Sequence, residues 1–365
     1  MAAGDGGRSR ITEGVLWKQL LWFCLPIFLQ SVFQQVFGVV DAVIVGRGVG
    51  KYALGAINST SYMIRLFLGL FLGFCSGAAI IIGQGLGAGD KERVRRAVHT
   101  GVAFSFAGGV AAAAIATGLS QGISALLCLI HLLEKDQIYT LKLRELRIDG
   151  PVLREIVGIG LPTGIQMSVI SIANVLVQKN INSFGADAMA ACGSYAKVEG
   201  FVFLPITCFS LALTTIISQN LGAGKLDRVR SACRFGLLSA VAAAETIGVV
   251  VFLLGPQLIS LFNNDPAVVV IGMKQCRIEA LFYCMLALSH TVAGICRGGG
   301  KATVPMLVML GVWCVFRIAY ITTAMHFCHD IRLLFWAYPI TWTISGAIFW
   351  SYYRRSHWLN VPKEA

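Results

Sequence analysis

Charge is scarce in this chain. Only 13% of its 365 residues are Asp, Glu, Lys or Arg, against 56% hydrophobic, where soluble domains carry roughly 25% charge. That shortage, with a mean hydropathy of +0.73, excludes a soluble globular domain and leaves a polytopic membrane protein. Acidic residues are the scarcer sign: 18 against 30 basic ones give a net charge of +12. On a soluble chain that excess would suggest nucleic acid. Here the basic residues sit in short loops between apolar runs, where they read as topology signals and as contacts to anionic membrane lipid, not to nucleic acid. The 11 cysteines form no CxxC pair, so they read as small buried hydrophobes and not as a disulfide or metal framework. No Gly-Lys-Ser/Thr follows the glycine-rich Gly85–Gly89, which excludes a phosphate loop. Met1–Arg10 is polar and glycine-rich with no cleavage site after an apolar stretch, so the first span is expected to be an uncleaved anchor. Nothing resembles a nucleophile–base pair or a metal cluster, and neither an enzyme nor a bound cofactor is expected.

What is abundant is apolar length. Runs at roughly 16–46, 52–88, 101–133, 156–185, 188–221, 235–262, 267–296, 303–328 and 333–353 are each long enough to cross a bilayer, which takes about 20 helical residues. Helices are the default because lipid cannot satisfy an open backbone. Basic clusters occupy the loops at Lys91–Arg96, Lys135–Arg154, Lys225–Arg234, Arg297–Lys301 and the tail Arg354-Arg355. The positive-inside rule then puts both termini in the cytoplasm of a multi-pass protein of the inner or plasma membrane.

Residues 49–101 recur at 184–236, shifted by 135 positions. Gln84-Gly85-Leu86-Gly87-Ala88-Gly89 returns as Gln219-Asn220-Leu221-Gly222-Ala223-Gly224, and Arg93-Val94-Arg95 as Arg228-Val229-Arg230. Paired halves of this kind are a common carrier architecture, with the solute path between them. The segments read as a cytoplasmic N-terminus (1–15), a shortened first bundle (16–149), a six-helix second bundle (150–355) and a cytoplasmic tail (356–365). The expected fold is all-α, with about ten transmembrane segments.

The first bundle does not match the second in length. Its loops at 86–99 and 134–154 are both basic, so residues 101–133 must cross an even number of times. They form either one long helix of frustrated topology or a cramped hairpin near Gly118 and Gly122. A weak match of Leu119-Ser120-Gln121 to Ile344-Ser345-Gly346 has an offset of 225, which leaves about 90 residues, or two spans, unaccounted for beside the 135 repeat. The reading is that the first bundle has lost its fourth and fifth helices.

Several motifs together resemble the multidrug and toxic compound extrusion (MATE) transporters. They are Pro26, Gln30 and Asp41–Arg47 in the first span, Gly85–Gly89 after the second, Gly160-Leu161-Pro162, and Arg297–Pro305. The resemblance implies twelve helices in two six-helix lobes, and export of organic, often cationic, amphiphiles against inward Na⁺ or H⁺. It also implies a coupling role for Asp41, which in some members works with residues of helix five and with a threonine of helix six, here Thr117. Helix five is what this chain lacks. The wider superfamily includes lipid-linked oligosaccharide flippases. That activity, and a non-transporting remnant of an internal deletion, are the two alternatives.

Ionisable residues inside spans mark function by default. Asp41 lies about 37 Å along a helix that starts near Leu16, either in a cavity mouth or at the interface beside Arg47. Glu279 and Arg317 lie about 18 Å into their spans, where they either pair or line a water cavity. Asp41 and Glu279 are the candidates for cation or proton coupling. Arg65, Lys179, Lys197, Glu199, Glu245, Lys274 and Arg277 are further intramembrane charges. Glu245 is expected in a hydrogen-bonded packing role, and Lys197 and Glu199 to point to different faces. Gln34, Asn58, Gln166, Asn174, Asn180 and Arg317 are candidate cavity or substrate residues; for the amides, interhelical hydrogen bonding is the competing role. Gly69, Gly73 and Gly77 form overlapping GxxxG steps that imply close helix packing.

Overall fold

The computed structural model describes residues 12–48, 69, 72–116 and 148–355, and for 37–48 and 104–116 the backbone alone. These residues form α1 (Leu16–Gly48), α2 (Leu72–Ala88), α3 (Lys91–Ala116), α4 (Gly150–Asn182), α5 (Ala186–Gly222), α6 (Leu226–Ser260), α7 (Pro266–Gly298), α8 (Thr303–Phe327) and α9 (Ile331–Arg355). Among the described residues, seven stretches are long and apolar enough to span a membrane, in α1 and in α4 to α9. The expected all-α membrane fold is what is found. Asn58, Thr117 and the Gly118–Gly122 segment lie outside the described residues.

Local chemistry sets the helix starts. Asp149 and Asp265 cap α4 and α7, accepting from Val152 N at 3.1 Å and Ala267 N at 2.9 Å. Pro151 and Pro266 follow in the first turn, where a missing N–H costs nothing. Prolines inside α1, α4, α5, α6 and α9 (Pro26, Pro162, Pro205, Pro256 and Pro339) lack the N–H that would pair the carbonyl one turn back.

The repeat is written in the backbone as well as in the residues. Asp90 N bonds Gly85 O at 3.0 Å, and its counterpart Lys225 N bonds Asn220 O at 2.9 Å. Val94 N to Asp90 O (3.1 Å) returns as Val229 N to Lys225 O (3.2 Å). Lys301 N to Cys296 O (2.8 Å) makes a third loop of the same design. All three turn on a glycine with positive φ: Gly89 at 74°, Gly224 at 69° and Gly300 at 77°. Only glycine takes that conformation without a Cβ penalty, and it ends each helix with its last carbonyls satisfied.

The two copies also meet. A β-carbon on Gly87 would overlap the backbone oxygen of Gln219, and one on Gly222 would overlap that of Gln84. Gln84 and Gln219 are equivalent, as are Gly87 and Gly222, so each copy presents its glycine to the other's carbonyl. This exchange is the mark of a pseudo-twofold contact. Both duplicated loops therefore lie at one end of the bundle. The start of α4 joins them through Arg93–Glu155 (2.8 Å) and Arg96–Asp149 (3.5 Å). A different strap serves the second copy. Arg228, equivalent to Arg93, donates to Gly14 O (2.8 Å) and Gln19 Oε1 (2.9 Å), and Lys225 donates to Thr12 O at 2.9 Å. Between α2 and α4 the approach is equally close. A β-carbon on Gly73 would overlap Gly164 and one on Gly77 would lie 2.5 Å from Ile156 O.

This predicts that Gly87→Ala and Gly222→Ala lower the thermal stability of the purified protein by about 1–3 kcal/mol each, the usual range for overpacking. Gly193→Ala, where an added β-carbon meets nothing within 4 Å, leaves it unchanged. Equal effects at all three sites in a melting curve would contradict the contact.

Candidate functional site

Two spans break their helical pattern in the second bundle. α7 tightens into a 3₁₀ turn at Ala280–Phe282, and α8 widens into a π segment at Leu310–Phe316. Such irregularities are frequent at functional sites. Glu279 stands immediately before the first and Arg317 immediately after the second. Both are buried, at 0% and 2% exposure.

Around them α5, α7, α8 and α9 assemble a polar interior. On α7, Gln275 Nε2 donates to Glu279 Oε1 at 2.9 Å. One turn on, the hydroxyl of Tyr283 meets that of Tyr195 from α5 at 2.5 Å. Arg317 donates to Thr341 Oγ1 of α9 at 2.8 Å. Its guanidinium lies over two rings, 5.0 Å from the centroid of Trp313 and 4.7 Å from that of Tyr338. Each such contact contributes about 2 kcal/mol when desolvated. Trp313 is itself held by its indole N–H on Ser345 Oγ at 3.1 Å, and Ser345 by Ser289 at 2.9 Å.

Charges in so dry a place need partners. Arg317 acts electrostatically on both Glu279 and the half-buried Glu199 of α5. Among the described residues, however, the short ion pairs all lie near helix ends, and none joins Arg317 to either carboxylate. Among the described residues, the buried side-chain atoms without hydrogen-bond partners include Glu279 Oε2, Gln275 Oε1 and Arg317 Nε. A buried unpaired acceptor or donor costs about 1–3 kcal/mol. Glu245 of α6 is different. Its Oε2 accepts from Cys284 N at 3.0 Å, satisfying an amide next to the α7 break.

The other sequence candidates are scattered. Gln166 on α4 is buried and donates to Met309 Sδ at 2.8 Å, leaving its Oε1 without a partner. Asn174 is half-buried, and Asn180 donates back to Leu176 O of its own helix at 2.9 Å. Gln34 is exposed, while its neighbour Gln35 reaches Lys197 O on α5 at 3.4 Å. Asp41 lies on α1, in the stretch described for its backbone only. Sequence reasoning missed Tyr195, Gln275, Tyr283, Trp313, Tyr338 and Thr341. One signal was present: Gln275, Glu279 and Tyr283 recur every fourth residue and so share a helix face.

Comparison with known proteins fits this architecture. The MatE family model matches residues 26–129 and 162–322. The first match thus covers 104 residues and the second 161. The probable multidrug resistance protein YoeA of Bacillus subtilis is 21% identical over 435 positions, covering 93% of this chain and 94% of YoeA. Since 93% of 365 residues is about 339, about 96 of those positions hold no residue of this chain. The probable multidrug resistance protein NorM of Thermotoga maritima is 29% identical over 206 residues, 56% of this chain and 44% of NorM. A multidrug resistance MATE family transporter of the MOP superfamily, solved in an outward-facing conformation, shares the fold. Its TM-score is 0.88 at 16% identity, over 99% of this chain and 100% of that one. A MOP superfamily transporter from Pyrococcus furiosus gives a TM-score of 0.83, also at 16% identity and over 99% and 100% of the two chains.

Loss of the Glu245 acceptor is expected to destabilise the α7 break. Glu245→Ala lowers unfolding stability by about 1–3 kcal/mol, and Glu245→Gln, which keeps an accepting oxygen, recovers most of it. A melting comparison in which Ala and Gln behave alike would show that the hydrogen bond does not matter.

Proposed function

Because this chain belongs to the MatE family, whose members are transporters and not enzymes, we propose that it exports organic, amphiphilic and typically cationic small molecules in exchange for inward Na⁺ or H⁺. The relatives named as multidrug resistance proteins support the solute class. One observation carries the coupling: a fully buried carboxylate, Glu279, keeps an unpartnered oxygen at a break in a spanning helix. Broken helices near the bilayer midplane are where many carriers bind their ions. Asp41 of α1 is the second coupling carboxylate in this reading. Gln34, Gln166, Asn174, Asn180 and Arg317 are the candidate solute residues in this reading, and Asn58, outside the described residues, is a further candidate from the sequence.

The end that carries the duplicated basic loops lies in the cytoplasm, as do both termini, and the membrane is the inner or plasma membrane. Contact between Gly87, Gly222 and their partner carbonyls closes the solute path at that end, and separation there opens it. Uptake of the cation at Glu279 then shifts the balance between the two states, because the ion binds one of them more strongly.

The first lobe lacks a helical pair, a reading supported by its shorter family match and by the unfilled positions in the YoeA alignment. The same gap favours the runner-up, a folded membrane protein that no longer transports. The remaining alternative, a flippase for lipid-linked oligosaccharides, draws its support from Arg317 as an intramembrane cation.

Expression in a pump-deficient cell is expected to lower the accumulation of a cationic dye. Asp41→Asn and Glu279→Gln should each restore accumulation to the level of cells without the protein. Unchanged dye levels with well-inserted wild-type protein would favour the remnant.

A further inference from the structure

The carboxylate site holds a cation of its own. We propose that Arg317 is the ion-selectivity determinant of this site: a resident charge that takes the electrostatic place of a Na⁺ and leaves Glu199 and Glu279 one proton to gain and lose in each cycle. The inference rests on the coupled-carrier reading above and chooses between its two ions.

Oxygen supply is the first argument. Hard cations take about six or more oxygen ligands, and Na⁺ shares that preference. Most oxygens here are already engaged. The hydroxyls of Tyr195 and Tyr283 are bonded to each other. Thr341 Oγ1 accepts from Arg317 and donates to Ala337 O. Glu279 Oε1 accepts from Gln275. The unpartnered buried acceptors of this cluster are Glu279 Oε2 and Gln275 Oε1. With both oxygens of the half-buried Glu199 counted as well, these make four, still short of a hard-cation shell, but a proton needs only one. A proton on Glu279 Oε2 turns one of two leftover acceptors into a donor.

Charge is the second argument. The titratable groups that act electrostatically on Glu279 come from four elements. α5 contributes Glu199, Tyr195 and Cys192. α7 itself contributes Cys276 and Tyr283, α8 Arg317, and α9 Tyr338. Glu245 of α6 is spent on Cys284. Two carboxylates and one guanidinium sum to a single negative charge. One proton neutralises the cluster, and its release to water at the other side restores the charge. Arg317 cannot swing away to admit Na⁺ without losing Thr341 and both rings. An added Na⁺ would sit beside a fixed guanidinium in a medium of low dielectric, where like charges repel strongly.

Trp313, stacked on Arg317, provides a readout that needs no transported solute. The purified protein is titrated with acid in NaCl and in choline chloride of equal ionic strength while its tryptophan emission is followed. The expected result is one protonation step with the same midpoint in both salts, absent in Glu279→Gln. Arg317→Met, neutral and of similar length, moves the step to higher pH by at least about one unit, because a nearby cation favours the ionised carboxylate. Arg317→Lys keeps the charge and holds the step near the wild-type position, which a purely structural role for Arg317 would not require. A wild-type midpoint that falls as Na⁺ replaces choline would overturn the proposal, as would an Arg317→Met midpoint equal to wild type. Should Arg317→Met fail to fold, the wild-type salt comparison decides alone. A protein that titrates this way but moves no dye would count against the carrier reading and not against this one.

Discussion

The close approach of Gly87 to Gln219 and of Gly222 to Gln84 is the constraint on which the rest of the structure depends. It brings two copies of one sequence segment into mutual contact at one end of the bundle. A side chain at either glycine would hold the copies apart. The same contact fixes the duplicated loops side by side, and with them their basic residues. Two bundles fastened at one end and related by a pseudo-twofold axis can exchange openings by a rocking motion, which is how alternating access is achieved in many carriers.

Symmetry at the seam contrasts with asymmetry elsewhere. Arg93 and Arg228 are equivalent in sequence, yet one bonds Glu155 at the start of α4 and the other the segment Gly14–Gln19. The second bundle concentrates buried charge at two helix irregularities, with Glu279 and Arg317 on neighbouring helices. An ion-linked carrier needs such a place: dry enough that one charge matters, and incomplete enough that a proton or ion improves it.

Much of this was legible in the sequence. Low charge and long apolar runs dictate membrane helices, because lipid leaves the backbone no other solution. The 135-residue offset points to duplicated loops, and the glycine steps at Gly73 and Gly77 to a close helix crossing. Glu279 and Arg317 stood out because charges inside spans are expensive. Their relation did not. Sequence suggested a direct pair as one option, whereas Arg317 binds Thr341 and two aromatic rings while Glu279 binds Gln275. Hydroxyls and rings such as Tyr195, Tyr338 and Trp313 are commonplace in apolar helices, and only the packing of four helices shows which of them face the charges. Helix breaks are only partly legible: neither Ala280–Phe282 nor Leu310–Phe316 contains a proline, and the second holds Gly311, a residue that also sits in regular helical stretches of this chain.

The central claim is that transport requires the duplicated segments to part at their seam. Ala88 and Ala223 are equivalent positions lining one cavity there, of about 490 Å³. With cysteines at both in an otherwise cysteine-depleted chain, mild oxidation of membrane vesicles should form a disulfide between them. Dye export should then stop and return on reduction. Export that continues undiminished in fully cross-linked protein would contradict the account.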